Sequence, residues 1–186
     1  MSAAPIQKIR VPLGFAYGLL FLWLSRPTPA LLVSGLAIAA LGLALRVWAS
    51  GHLNKGRELA SRGPYAWTRN PLYLGSFVMG LGFTTAGGRW LLVLLFPLLF
   101  LAVYWPVMRR EERELTDWLG APYTLYRDSV SLFVPSFRRF APVSGPGQNV
   151  RLSNFQWSQV IYNREHKAII GFILVAGFLW VKMIWL

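Results

Sequence analysis

Residues Arg57 to Gly75 read Arg-Glu-Leu-Ala-Ser-Arg-Gly-Pro-Tyr-Ala-Trp-Thr-Arg-Asn-Pro-Leu-Tyr-Leu-Gly. This polar, turn-rich stretch interrupts a chain that is otherwise suited to lipid, and it divides the rest. Apolar runs lie on either side of it, at Ala30 to Ser50 and Pro71 to Ala86, and further out at Val11 to Leu24, Trp90 to Met108 and Ala168 to Leu186. Crossing a hydrocarbon core takes roughly 20 helical residues, with about 17 to 25 tolerated. The runs at 30–50, 90–108 and 168–186 meet that length, whereas 11–24 and 71–86 are short. A hydrophobic share of 55% exceeds the roughly 45–50% of soluble domains. The expected fold class is all-α: a polytopic membrane protein of about five transmembrane helices. Pro27 and Pro29 are expected to turn the first run back onto the second, because proline cannot continue a helical ladder. Lys8 and Arg10 before an apolar core also outline a secretory signal, but no small-residue cleavage site follows cleanly.

The cations cluster in alternate loops. Lys8 and Arg10 precede the first run; Lys55, Arg57, Arg62 and Arg69 fall between the second and third; nine Lys and Arg residues from Arg109 to Lys167 separate the fourth from the fifth. Short loops rich in Lys and Arg stay in the cytoplasm. The expected arrangement is therefore an integral, multi-pass protein with its N-terminus, the 57–70 loop and the 109–167 segment all cytoplasmic. A net charge of +12 distributed in this way fits an anionic inner leaflet, so membrane lipids are expected partners and nucleic acid is not. The chain has no cysteine, which removes disulfides, thiolate catalysis and Cys-ligated metals; no metal site is expected.

Beyond Met108, the sequence Arg109-Arg110-Glu111-Glu112-Arg113-Glu114-Leu115 continues to Trp118, Leu119, Tyr123, Tyr126, Val130 and Phe133. The apolar positions recur near a helical period. This predicts a helix leaving the membrane and then a short surface helix, broken at Gly120-Ala121-Pro122. Three parts are expected: a core at 1–140 of four helices plus the surface helix, a linker and amphipathic segment at 141–167, and an additional transmembrane helix at 168–186.

Asn70-Pro71 reads as a helix start, since asparagine is a preferred cap and proline a preferred first residue. With Arg69 beside it, that helix end attracts a carboxylate or phosphate. Tyr65 and Tyr73 flank this corner, and either alone also suits an interfacial aromatic belt. Glu111 and Glu112 fall where the fourth run meets the cytoplasm, where an unpaired carboxylate is costly. Arg110 with Glu114, and Arg109 with Glu112, have the spacing of ordinary helix-surface pairs.

Taken together, Arg57-Glu58-Leu59, Gly63-Pro64-Tyr65, Arg69-Asn70-Pro71-Leu72-Tyr73-Leu74-Gly75, Glu111-Glu112 and the later Leu115, Gly120, Tyr123, Tyr126 and Phe133-Val134-Pro135 resemble isoprenylcysteine carboxyl methyltransferases and their phospholipid N-methyltransferase relatives. The resemblance covers about residues 45–137. It implies an integral-membrane methyltransferase that binds S-adenosylmethionine in a cytoplasmic pocket and receives a lipophilic small molecule or lipid as acceptor. It further implies that Arg57, Glu58, Leu59, Ala60, Tyr65, Asn70, Pro71, Leu72, Tyr73, Glu111 and Glu112 hold the cofactor, with Arg69 added from the helix-end argument. Arg109 or Arg110 is expected to orient the substrate, and Glu112 to act as a base if the acceptor is an amine. Two departures stand out: the prenylcysteine enzymes tend to carry His at the positions of Arg57 and Asn70. Membrane sterol reductases resemble the same core, but they tend to have an acidic residue at the position of Ser76.

Overall fold

The computed structural model describes residues 5–54, 59–136 and 154–185. Among these, every regular element is helical. The seven α-helices are α1 (Pro5–Leu24), α2 (Pro29–Gly51), α3 (Pro71–Ala86), α4 (Trp90–Leu119), α5 (Ala121–Ser129), α6 (Trp157–Tyr162) and α7 (His166–Trp185), with a 3-10 turn at Gly63–Ala66. All five apolar runs are helices. Three of them, α2, α4 and α7, are long and apolar enough to cross a membrane. The 16 residues of α3 rise about 24 Å at 1.5 Å each, less than the roughly 30 Å hydrocarbon core.

Local chemistry sets the helix boundaries. Thr28 caps α2, its carbonyl accepting from Leu32 N at 2.8 Å, and Pro29 takes the first helical position, where a missing N–H costs nothing. The α3–α4 connection turns at Gly88 (φ +70°), where an added Cβ would lie 2.2 Å from the Arg26 carbonyl oxygen. Only glycine fits there without strain. At the far end of α4, Gly120 adopts φ +61° and separates α4 from α5 at the expected break. Helix α4 runs unbroken through Pro97 and Pro106.

The described chain forms two compact units. The first comprises residues 1–42, 77–109 and 171–186. Its core joins Phe21, Leu32, Ala86, Leu92 and Leu179, flanked by Tyr17, Phe83 and Met183. Here α2 and α3 touch backbone to backbone: a Cβ on Gly82 would lie 2.3 Å from Ala39 N, and one on Gly35 would lie 2.3 Å from Ala86 N. In lipid, where apolar burial gives little drive, such small-residue contacts let helices associate. Lys182 Nζ on α7 donates to the Leu22 and Trp23 carbonyls at 2.5 and 3.0 Å and reaches Ser25 Oγ at 3.2 Å. It thereby occupies acceptors that the end of α1 leaves without an intrahelical donor.

The second unit comprises residues 43–76 and 110–170. It has two small apolar clusters: Ala49, Ala60 and Tyr65 with Leu53 and Leu72, and Tyr123, Tyr126 and Val130 with Leu59, Leu115 and Leu119. Polar bonds link its loops. Residues 131–136 run along residues 67–70, with Arg69 N donating to Ser131 O and Ser136 N to Trp67 O.

Candidate functional site

The 59–76 segment and the start of the 110–170 segment bring most of the sequence-derived site residues into the second unit. Helix α3 begins at Pro71, with the Asn70 carbonyl accepting from Leu74 N at 3.0 Å. The Asn70 side chain donates through Nδ2 to Leu132 O at 2.9 Å, and Thr68 Oγ1 donates to Phe133 O at 2.9 Å. The corner is thus held by the segment that follows α5.

One turn of α4 faces this corner. Arg69 Nη1 meets Glu112 Oε1 at 2.9 Å, with side chains only 8% and 11% exposed. The Tyr73 hydroxyl donates to Glu111 Oε1 at 2.7 Å. Glu112 is therefore engaged across the unit, by a residue that helix spacing does not indicate. Arg69 keeps a buried Nε with no hydrogen-bond partner among the described residues. Glu111, half-buried, has no cation paired to it among those residues. The site therefore offers a free donor and an uncompensated acceptor close to a matched ion pair.

Tyr65 is buried among Ala49, Ala60, Leu53 and Leu72, so it is no part of an interfacial belt. Its carbonyl accepts the Tyr126 hydroxyl at 2.7 Å. Burial pushes the phenols of Tyr65 and Tyr126 well above the ordinary tyrosine range. Glu165 and Glu111 push Tyr65 the same way, and Arg46 opposes them. Burial also raises Tyr123, against the pull of Arg69. These phenols remain protonated donors at neutral pH.

Leu59, Ala60, Pro71 and Leu72 contribute backbone and packing around the corner. Arg110 pairs with Glu114 at 2.6 Å on a partly exposed face of α4. Arg109 belongs to the first unit, its guanidinium 5.6 Å from the Trp105 ring centre. Arg57 and Glu58 lie outside the described residues, as does the 141–148 linker.

Two charged residues escaped the sequence reading. Arg46 on α2 and Glu165 before α7 form a bidentate pair, Nε to Oε2 at 3.1 Å and Nη2 to Oε1 at 2.9 Å. The available signal was Arg46 itself, a lone charge in an apolar run, which is costly in a bilayer and marks function by default.

Part of the chain is similar to known methyltransferases. Residues 30–121, just under half of the chain, match the model of the phospholipid methyltransferase family. The protein-S-isoprenylcysteine O-methyltransferase of Schizosaccharomyces pombe is 33% identical over 82 residues, which cover 44% of this chain and 35% of that protein. The chain thus aligns with about a third of the length of this curated relative. No solved structure matches. The family match takes in α2, α3 and α4 with the Arg69–Glu112 and Tyr73–Glu111 contacts, so the part of the chain that carries these contacts is similar to phospholipid methyltransferases.

Proposed function

We propose that the chain transfers a methyl group from S-adenosylmethionine to a lipophilic acceptor at the cytoplasmic membrane face, with the donor bound in the second unit. The observation that carries this reading is the uneven pairing around Arg69. Glu112 is matched by the Arg69 guanidinium, while Arg69 Nε and the Glu111 carboxylate retain unused bonding capacity. A zwitterionic amino acid bearing a sulfonium fits that pattern: its carboxylate suits Arg69 Nε and the start of α3, and its cationic groups suit Glu111.

When bound, S-adenosylmethionine supplies an electrophilic methyl group on a positively charged sulfur. The chain's work is then mainly alignment, which in oriented reactants is worth about 7 to 11 kcal/mol. Tyr73 fixes one Glu111 oxygen and leaves the carboxylate's other lone pairs available. Arg69 and Glu112 neutralise each other, which keeps the buried net charge low before the donor arrives. Arg110 is the candidate within the second unit to orient an acidic acceptor group. For an amine acceptor, Glu112 is the candidate base, provided it comes within hydrogen-bond reach. In this reading residues 1–140 form the transferring core, α7 is an additional span, and the loops rich in Lys and Arg face the cytoplasm.

The curated relative favours a prenylated cysteine carboxyl as acceptor. The family match supports a second reading, an amine on a phospholipid headgroup. Calorimetry of the purified protein is expected to show binding of S-adenosylmethionine and its demethylated product; binding of NADPH instead would overturn the proposal in favour of a reductase. Labelled methyl transfer to a farnesylated cysteine, compared with phosphatidylethanolamine vesicles, separates the two acceptors. The natural absence of cysteine makes Ser129→Cys, on an exposed α5 position, a clean reporter of sidedness. An impermeant maleimide should label it only from the cytoplasmic side.

A further inference from the structure

Arg46 has bonding partners on two further segments, all within the second unit. Its Nε and Nη2 are taken by the Glu165 carboxylate. Its Nη1 donates to the Leu72 carbonyl at 3.4 Å and to the Ser76 hydroxyl, which in turn donates to the same carbonyl at 2.8 Å. Leu72 and Ser76 bracket Tyr73 on the first turns of α3.

Glu165 is itself well anchored. It is 4% exposed, follows Arg164 at φ +60°, and donates its backbone N–H to Val160 O at 3.2 Å. Two residues earlier, Asn163 Nδ2 donates to Ser50 O at 3.0 Å and Leu53 O at 2.9 Å, at the end of α2. Gln156 N donates to Gly51 O at 2.9 Å, and the Phe155 ring packs where a Gly51 Cβ would stand. The turn before α7 is fastened to α2 at several points, so the carboxylate is presented rigidly.

A bidentate carboxylate fixes both the position and the plane of a guanidinium. The one nitrogen left over then has a defined direction, toward α3. We infer that Arg46 and Glu165 are positioning residues of the methyl-donor site: together they fix the first turn of α3 so that the Tyr73 hydroxyl stays on Glu111. The inference rests on the reading of Arg69, Tyr73 and Glu111 as that site. Burial of such a pair contributes little net stability compared with apolar residues of similar volume, so its effect lies in orientation. The Tyr65 phenol, sandwiched electrostatically by Glu165 and Glu111, is a second sign that the pair and the site share one environment. It follows that residues 154–167, which lie beyond the family match, help to shape the pocket.

The test is calorimetric titration of S-adenosylmethionine into the full chain in nanodiscs, with thermal unfolding measured on the same samples. Glu165→Gln keeps the volume and removes the charge; it is expected to weaken donor binding about 10-fold alone, and less than about 2-fold when Tyr73 is already Phe. Equal losses in the two backgrounds, or a lowered melting temperature with unchanged affinity, would overturn the inference in favour of a purely structural pair. Should Glu165→Gln fail to fold, Ser76→Ala removes only the hydroxyl that Arg46 reaches. It is expected to weaken binding about 3-fold, and wild-type affinity in that variant overturns the inference. Wild-type protein that binds no donor overturns the site reading and this inference together, whereas binding that is insensitive to both variants overturns the inference alone.

Discussion

Helices α2 and α3 meet in both units, and by opposite means. In the first, Gly35 and Ala39 lie against Gly82 and Ala86 with nothing between the backbones. In the second, farther along α2 and nearer the start of α3, Arg46 reaches the Leu72 carbonyl and the Ser76 hydroxyl. The first contact depends on shape and tolerates no added atom. The second depends on charge and direction, and needs a distant acid to hold it. The contrast separates a scaffold built from small residues from a region held by directed polar bonds, which are costly in lipid unless paired.

The largest expected effect comes from Arg69→Ala. It removes the buried guanidinium bonded to Glu112, whose side chain is 11% exposed, and removal of one buried partner typically costs about 3 to 5 kcal/mol. Denaturant unfolding in mixed micelles should record that loss, and calorimetry should find no donor binding. A variant that is stable and still binds would break the distinction between the two regions. Gly82→Val tests the other side, since its Cβ would fall 2.3 Å from Ala39 N. Overpacking of this kind costs about 1 to 3 kcal/mol. Unfolding should shift by that amount while donor affinity in the folded protein stays at the wild-type value.

Tyr126→Phe leaves the buried Tyr65 carbonyl without its donor and is expected to cost about 1 to 2 kcal/mol. The substitution also has a pH signature. Burial holds the Tyr126 proton in the folded state well beyond the ordinary range, so the unfolded chain releases it first, near pH 10. The stability contribution is complete below that pH and declines as pH rises above it. The Phe variant should therefore lose less stability than wild type between about pH 9 and 11. The smallest effect is expected from Glu114→Gln. Its pair with Arg110 is exposed on both sides, and such pairs contribute about 0 to 1 kcal/mol. A loss as large as that of Arg69→Ala would show that burial does not separate these two Arg–Glu pairs on α4.

How far these contacts could be read from the chain depended on their range. The start of α3 at Asn70-Pro71 and the break at Gly120 follow from residues adjacent to them, so they were legible. The Arg110–Glu114 pair is a helix-neighbour contact and was legible too. Glu112 also bonds Arg69, which lies 43 positions away on another element and is beyond the reach of that rule. Tyr65 and Tyr73 carry residue types that serve equally at a membrane interface and in a core, and only packing separated these uses. Arg46 and Glu165 are 119 positions apart, beyond any periodicity, and only the lone charge on α2 hinted at a partner.

Lys182 sets a condition on biogenesis. The Leu22 and Trp23 carbonyls that it covers are synthesised 160 and 159 residues before it arrives. Until α7 has been synthesised, the Leu22 carbonyl has the Ser25 hydroxyl at 3.3 Å, whereas the Trp23 carbonyl must rely on water, lipid headgroups or a chaperone. Maturation of α1 is therefore coupled to the synthesis of α7, and pulse-labelled nascent chains should remain protease-sensitive near residue 25 until α7 has inserted.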